Sequence, residues 1–439
     1  MSTNSGTDNA AFGYLALQLN TGGNNNTAVG SQALTNNGNG FNNTAVGYGA
    51  LNANTGGLNT AVGYQSLFNN QGGFSNTAVG NLALSSNTTG GYNVAVGSYA
   101  LVTNTTGEFN TSVGLSNAYN NNGSYNNSLG YQAMNGNLTG NFLTAIGSQA
   151  LYATTGTDHL MGIGNSALYN LNGGSQVMAV GDSALYSSVN GNNNTALGIS
   201  SMYVTLAGSN NTAVGLRSLY DNAGGNNNVA LGQNALYSNV SGSDNTVIGT
   251  TADVTVNNLN NATALGYGTV VDSSNKVRIG NTSVISIGGQ VAWTNFSDER
   301  VKNHIEENIP GLAFINQLKP VTYHYDLEKE NQLLGIKNDK EWEGKHDIEN
   351  IAFSGFLAQQ VDAAAKSIGY DFSGVDKHGS IWGLRYSEFV PSLVKSVQEL
   401  DQHGQQTDDR VTQQQKMIDE LKRIVEEQQK QIDELLNKK

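Results

Sequence analysis

The chain has 439 residues, no cysteine and a formal net charge of −13. The missing cysteines exclude disulfide bonds and thiolate metal sites, and an acidic balance without a basic run argues against nucleic acid or an anionic membrane as partner. Only three of the 21 basic and eight of the 34 acidic residues lie within residues 1–290, and all three prolines lie beyond residue 300. The sequence therefore predicts two parts that are built differently.

A glycine that closes the motif Ala-Val-Gly, or a close variant of it, recurs throughout the first part. Successive glycines are 17 residues apart except for two steps of 16, and the repeat reads roughly N-T-A-V-G-x-x-A-L-x-x-N-x-x-G-x-N. A fixed short period is typical of a unit that buries its apolar side chains only by stacking on copies of itself. The sixteen glycines are Gly13, Gly30, Gly47, Gly63, Gly80, Gly97, Gly114, Gly130, Gly147, Gly164, Gly181, Gly198, Gly215, Gly232, Gly249 and Gly266.

The repeat predicts a mainly β fold, a β-solenoid or β-roll shaft over residues 1–266 with one coil per repeat. Thr-Ala-Val suits a short strand, and Asn and Gly suit the turns between strands. We expect asparagines at equivalent positions to stack as side-chain ladders. Because Ala, Val and Leu make a thin core, we also expect apolar positions such as the Ala-Leu pairs to be buried against other chains, in a trimeric shaft.

These repeats, over residues 9–266, resemble the head repeats of trimeric bacterial adhesins and the Asn-Thr-Ala-Val-Gly arrays of tail-fibre-like proteins. The resemblance implies a fibre that forms a homotrimer. No apolar run approaches the ~20 residues of a membrane-spanning helix, and no basic-then-apolar leader follows Met1. We therefore expect no membrane insertion and no secretory signal.

The sequence predicts a β connector of two or three short strands over residues 267–296 and a small α+β domain over residues 297–389. The stretch "AFINQLKPVTYHYD" indicates a helix that ends before Pro320 and a strand after it. The stretch "FLAQQVDAAAKSIG" places Leu357, Val361, Ala364 and Ile368 on one face of a second helix.

The last segment, residues 390–439, has heptads without a phase break from Val390 to Leu435, which predicts a coiled coil. The alternative is one long surface helix, and Gly404 and Thr407 form a weak point in either case. The number of helices stays open, because β-branched residues at a with Leu at d favour dimers whereas Gln at d blurs that rule. The a positions are Val390, Val397, Gly404, Val411, Ile418, Val425 and Ile432, and the d positions are Leu393, Leu400, Thr407, Gln414, Leu421, Gln428 and Leu435.

The stretch "FSDERVKNHIEENIPGLAFINQLKPVTYHYD", the later "GFLAQQV" and the closing heptads resemble the C-terminal intramolecular chaperone of phage endosialidases, tail spikes and tail fibres. The resemblance spans residues 296–439 and implies a trimer that assembles the preceding β-rod and then cuts itself off. The family's Ser-Asp-x-Arg-x-Lys signature occurs here as Ser297, Asp298, Arg300 and Lys302. By position, Ser297 would be the nucleophile and Lys302 its base, with cleavage between Ser297 and Asp298.

The chemistry of such a pair is sound, since a serine hydroxyl is a weak nucleophile until a base takes its proton, and a partly buried lysine can be that base. On one regular helix, side chains five residues apart point about 140° apart. Ser297 must therefore precede the helix or meet Lys302 across a chain interface. The alternative is that Ser297 or Asp298 only caps a helix that begins at Glu299.

No cofactor or metal site is expected. The histidines lack metal-ligand spacing, and the repeats have too few acidic residues for calcium loops or a glycosidase pair. At most, the protein is an enzyme that acts once on its own chain.

The sequence thus predicts a fibre or adhesin shaft, on a phage tail or phage-like particle, that displays or binds a surface receptor or glycan. Its expected partners are two further copies of itself, the receptor, and a tail or baseplate protein at its N-terminal end. One alternative is a bacterial surface adhesin that keeps its chaperone tail uncleaved. A second, from another class, is a tail spike that degrades polysaccharide.

Overall fold

The computed structural model describes residues 5–291, 293–336 and 340–437. Two compact units divide the chain, the first comprising Met1–Val284 and Leu334–Asp339, the second Ile285–Leu333 and Lys340–Lys439. We call residues 5–284 the solenoid and the second unit the tail. The fold is a long β-solenoid, then a small α+β region, then one long helix, which confirms the predicted fold class.

Each coil of the solenoid adds one short strand to a parallel sheet, and equivalent residues of successive repeats lie side by side. Ala28 pairs with Ala45, and Ala45 pairs with Ala61. The strands are Ala10–Phe12, Thr27–Val29, Thr44–Val46, Thr60–Val62, Thr77–Val79, Val94–Val96, Thr111–Val113, Asn127–Leu129, Thr144–Ile146, Leu160–Ile163, Val177–Val180, Thr195–Leu197, Thr212–Val214, Val229–Leu231, Thr246–Ile248, Thr263–Leu265 and Val277–Ile279.

Two smaller parallel sheets lie on another side of the later coils. One contains Asn170–Asn172, Ser187–Val189 and Val204–Thr205, and the other contains Asp253–Val254 and Val270–Val271. The last strand of the main sheet, Val277–Ile279, pairs with Thr263–Leu265. Strand stacking therefore continues into residues 267–279, where the sequence predicted the connector.

The core of each coil closes within one chain. Ala28, Ala33 and Leu34 have no exposed surface, and their equivalents in the other coils form one continuous cluster. Strand residues alternate, so that the central Ala28 points inward while Thr27 and Val29 are exposed. The prediction that the Ala-Leu pairs are buried against other chains is wrong, because the turns fold these pairs into their own coil.

Alternating backbone conformations produce this inward turn. Gly30, Gln32 and Leu34 have φ angles of 132°, 61° and 48°. The backbone N–H of Gln32 donates to the Tyr14 carbonyl in the preceding coil, while the backbone N–H of Leu34 donates to the Ala50 carbonyl in the following coil. β-branched side chains are strongly disfavoured at such angles, which explains why the buried residue after Ala is Leu rather than Val or Ile.

Two buried asparagine ladders run along the stack, as predicted. In the first, the backbone N–H of each asparagine donates to the side-chain oxygen of the one before it, as Asn43 does to Asn26 at 2.9 Å. In the second, side chain bonds to side chain, as Asn37 Nδ2 does to Asn20 Oδ1 at 2.8 Å. The first ladder contains Asn26, Asn43, Asn59, Asn76, Asn93, Asn110 and Asn126, and the second contains Asn20, Asn37, Asn54, Asn70, Asn87 and Asn104. Asn137 bonds to Asn121 in the next two coils of the second ladder.

Both ladders stop at the same level of the stack. Leu143, Leu160 and Val177 take the place of asparagine in the first ladder. Thr154, Leu171 and Ser188 do so in the second, and all six side chains are buried. The first ladder resumes with Asn194 and Asn211. The positions of both ladders are thus filled by asparagine in the earlier coils and by other buried side chains in the coils that follow.

Aromatic side chains form two further columns on the surface. Tyr92, Phe109, Tyr125, Phe142 and His159 stack with centroids 4.8–5.1 Å apart. A column of six tyrosines stacks 5.0–5.2 Å apart, and its rings are Tyr152, Tyr169, Tyr186, Tyr203, Tyr220 and Tyr237. The sequence interpretation missed both columns.

The last coil differs from the others in placing a charged residue at a core position. Arg278 pairs in register with Ala264, and so takes the place that alanine has in most other coils. Its Nη1 donates to the Val270 carbonyl at 3.1 Å. Lys276 Nζ lies 2.8 Å from Asp272 Oδ1.

The described residues of the tail form four α-helices, α1 (Leu312–Ile315), α2 (Leu327–Leu333), α3 (Ala358–Ser367) and α4 (Phe389–Leu436). Its two small antiparallel sheets pair Val321–Tyr323 with Phe353–Gly355 and Val375–Asp376 with Gly383–Leu384. Short 3-10 helices span Glu299–Val301, Asp347–Asn350 and Tyr386–Glu388.

A compact core joins these elements around Phe314, which has no exposed surface. The ring of Phe314 lies 5.0 Å from that of Phe372, and Phe389 at the start of α4 lies 4.8 Å from Phe372. The predicted face of α3 is formed by the buried Val361 and Ala364, with Ile368 packed against them. Leu357 instead precedes α3 and is exposed.

Helix α4 is 48 residues long and covers the predicted heptads. Beyond Ser396 its described side chains are intermediate or exposed, including the apolar a and d residues. Among the described residues, no helix is long and apolar enough to cross a membrane.

Candidate functional site

The segment Ser297–Lys302 forms a tight turn around a 3-10 helix, Glu299–Val301. Asp298 is the N-cap and Lys302 the C-cap, and both have extended backbone angles. A 3-10 helix completes a turn in three residues, so the residues on either side of it return to the same side of the chain. This local fold brings Ser297 and Lys302 together.

Lys302 Nζ lies 2.7 Å from Ser297 Oγ, within one chain. This distance is within the range at which a nucleophile and its base exchange a proton. The two side chains meet because the helix between them is a short 3-10 turn rather than a regular α-helix. Ser297 precedes the helix, which is one of the two arrangements that the spacing allowed.

Asp298 and Arg300 form a second interaction in the same turn. Arg300 Nη2 and Nε lie 2.6 Å and 3.0 Å from Asp298 Oδ2 and Oδ1, and the Arg300 backbone N–H donates to Oδ1 at 2.9 Å. The Arg300 side chain, followed by its backbone N–H, lowers the pKa of the Asp298 carboxyl. The carboxylate also caps the helix, so the capping role and the Ser–Lys contact coexist.

All four signature side chains are exposed in the single chain. Large apolar side chains beside them are exposed too, with Phe296 at 99%, Val301 at 76% and Ile305 at 65%. A cluster of exposed apolar residues marks an interaction surface more often than a free surface. The sequence interpretation passed over these residues, although three large apolar side chains in a charged segment were a usable signal.

The turn is followed by the packed part of the tail. The backbone N–H of Leu312, at the start of α1, donates to Glu399 Oε2 of α4 at 2.7 Å. Burial raises the pKa of Tyr325 to about 12, helped by its hydrogen bond to Tyr323. The conspicuous "LKPVTYHYD" stretch thus supplies a structural sheet and its aromatic contacts.

The stretch between the two strands of that sheet carries a charged cluster. Lys345 Nζ lies 2.6 Å from Glu341 Oε1, and His346 Nδ1 lies 2.6 Å from Glu349 Oε2. The bond to Glu349 raises the pKa of His346. Glu349 also accepts the backbone N–H of Leu327 and so fixes the start of α2. Among the described residues, no group of three or more His, Cys, Asp or Glu side chains is arranged to hold a metal ion.

Residues 297–370 match the protein family described as chaperone of endosialidase. The match begins at Ser297 and includes the 3-10 turn and helices α1, α2 and α3. No curated protein matches the chain. The tail therefore contains a chaperone domain of the endosialidase type.

Proposed function

We propose that this chain is the shaft of a fibre, that its tail assembles three copies as an intramolecular chaperone, and that the tail then cuts the chain between Ser297 and Asp298. The observation that carries the proposal is the 2.7 Å contact between Lys302 Nζ and Ser297 Oγ. It lies at the first residue of the region that matches a chaperone family.

Helix α4 supports self-association. Its heptad side chains are exposed in the single chain, with Val397 at 65% and Leu421 at 60%. A long apolar seam of this kind is stable in water only when partner helices cover it. Met417 and Ile424 widen the seam beyond the a and d positions, as in helices that contact more than one neighbour. Three copies fit this wider face better than two.

The solenoid explains why a chaperone is needed. Its coils are nearly identical, so coils can stack out of order at little energetic cost, and a shifted pairing is hard to correct. Holding three chains together at one end raises their local concentration and fixes where stacking starts. Cutting the tail away afterwards makes the assembled state kinetically irreversible.

The exposure of the Ser297–Lys302 turn in the single chain provides a reason why cutting follows assembly. A lysine becomes a better base when it is buried, and Lys302 is exposed in the single chain. Neighbouring chains that cover Phe296, Val301 and Ile305 would bury the pair together with these apolar residues. Ser297 would then act as nucleophile and Lys302 as base only in a completed assembly.

In this proposal the released shaft displays or binds a cell-surface receptor or glycan. It belongs to a virion or a phage-like particle, with a tail or baseplate protein at its N-terminal end. The long stack of weakly charged coils supports a display role. A bacterial surface adhesin that keeps its tail is the second candidate, because the Ser297–Lys302 pair is exposed in the single chain and stays unused if no neighbouring chain buries it.

Mass spectrometry and size determination of the freshly purified protein test the proposal. The wild type is expected as trimers whose chains are cut into residues 1–297 and 298–439. Ser297→Ala and Lys302→Arg should each leave full-length chains, since arginine keeps the charge but does not give up its proton. Lys319→Ala, an exposed lysine in the same matched region, should be cut normally. Whole wild-type chains in folded trimers would reject the cutting step.

A further inference from the structure

The proposed cut raises a geometric problem at the reacting atoms. Ser297 carries both the attacking hydroxyl and the carbonyl of the bond that breaks. Attack on its own carbonyl would close a four-membered ring through Oγ, Cβ, Cα and the carbonyl carbon. Such a ring forces its angles to about 90°, roughly 20° below the ~111° of an ordinary backbone carbon. A deformation of that size at every ring atom makes attack within the residue unworkable.

We infer that the Ser297–Asp298 bond is cut in trans, with Ser297 of one chain attacking the carbonyl of Ser297 in a neighbouring chain. This inference rests on the proposed function and names the partner in its reaction. The nucleophile and base come from one chain, because Lys302 Nζ and Ser297 Oγ already lie 2.7 Å apart within it. The second copy supplies only the bond.

The turn around the 3-10 helix fixes Asp298, the residue on the carboxyl side of the scissile bond. Arg300 binds the Asp298 carboxylate through its side chain and its backbone N–H. In the chain that is cut, these bonds hold the residue that follows the scissile bond in a fixed conformation. The Phe296 side chain, on the other side of Ser297, is 99% exposed.

The steps balance without any further reagent except water. The attacking Ser297 Oγ forms a bond to the neighbour's Ser297 carbonyl carbon, and its proton passes to Lys302 Nζ. The bond from that carbon to the nitrogen of Asp298 breaks, and the proton moves from Nζ to the departing amine. An ester then joins the two chains until water hydrolyses it, which restores the serine hydroxyl and leaves a carboxylate at the cut.

Mixed trimers test the direction of attack. Wild-type chains and Ser297→Ala chains, distinguished by different N-terminal tags, are produced together in equal amounts, and the cut fraction of each is measured by mass spectrometry. In a cyclic trimer each chain attacks one neighbour, so about half of the Ser297→Ala chains and about half of the wild-type chains should be cut. The new N-terminus should be Asp298.

The opposite result is equally clear. If every wild-type chain is cut and no Ser297→Ala chain is, attack occurs within the chain, and a new N-terminus at Ser297 would show that the Phe296–Ser297 bond breaks through a five-membered ring. Mixed trimers of Ser297→Ala with Lys302→Ala chains should stay whole, because neither chain then holds a complete pair; cutting there would overturn the assignment of both groups to one chain. An uncut wild type contradicts the proposed function instead.

Discussion

Replacing Asn70 with leucine tests whether the buried asparagine ladders hold the solenoid together. Asn70 Nδ2 donates to Asn54 Oδ1 at 2.8 Å and to the Gly73 carbonyl at 2.7 Å. Its Oδ1 accepts from Asn87 Nδ2 at 2.7 Å. Leucine fills a similar volume and occurs at the equivalent position 171, so the change removes hydrogen bonds without leaving a large cavity.

The loss is expected to be large because the neighbours stay polar. Three hydrogen bonds contribute about 1 kcal/mol each, and the Asn54 oxygen, left without its best donor in the core, adds a further ~1–2 kcal/mol. We therefore expect the coils around residue 70 to open more easily by about 4–5 kcal/mol. At position 171 the same residue is tolerated because adjacent coils have Thr154 and Ser188 in place of asparagine.

Hydrogen exchange measured by mass spectrometry suits a repeat protein, since it reports each coil separately and needs no two-state unfolding. Peptides that contain Asn54 and Asn87 should exchange at least about 100-fold faster, as every ~1.4 kcal/mol is tenfold. Asn69→Leu, one residue away and exposed, is the matched control and should change exchange little. Equal protection in the two variants would refute the view that the ladder is a main source of stability.

Three further predictions follow from other parts of the chain. Burial raises the pKa of Asp253 from 3.8 to about 6. The stability of the last coils should therefore be full below pH ~4 and fall by about 3 kcal/mol as the pH rises through about 6. Hydrogen exchange measured as a function of pH should show this fall in the wild type and not in Asp253→Asn. Leu421→Lys places a charge in the seam of α4 and should reduce trimers to monomers in size-exclusion chromatography and abolish cutting, whereas Glu420→Lys, at an outer heptad position, should do neither. Tyr186→Ala removes a ring that stacks on its two neighbours at 5.0 and 5.1 Å, and should destabilise that region by about 1–3 kcal/mol. The near-ultraviolet circular dichroism of the tyrosine column should decrease as well. An unchanged spectrum would show that the rings do not stack.

The repeat and its strands could be predicted from the sequence because each repeat states the same pattern again. Period, Thr-Ala-Val strands and asparagine ladders all depend on residue type and spacing, which the sequence gives directly. The cross-section of a coil could not be predicted in this way. It depends on left-handed backbone angles at Gln32 and Leu34, which the conformational preferences of these residues do not predict. The Ala-Leu pairs were therefore assigned wrongly to contacts between chains.

The site could be predicted in part. The signature placed Ser297 and Lys302 together, and their spacing excluded one regular α-helix. The 3-10 turn that resolves the conflict was not visible, because three residues of 3-10 helix have no distinctive pattern. The tyrosine column was visible in principle, since tyrosine recurs every 17 residues from Tyr152 to Tyr237. The repeat pattern of buried residues does not reveal this column, because the rings lie on the surface.

The charge in the last coil ends the solenoid core at its carboxyl side. A stack of similar layers presents open amides and carbonyls at each end, and a bare end invites another molecule to continue it. At the carboxyl end, Arg278 stands where the core column of alanines would go on, so a further apolar layer would have to bury a guanidinium. A further coil cannot stack on this end without desolvating that charge, so Arg278 protects the carboxyl end of the solenoid from continued strand pairing.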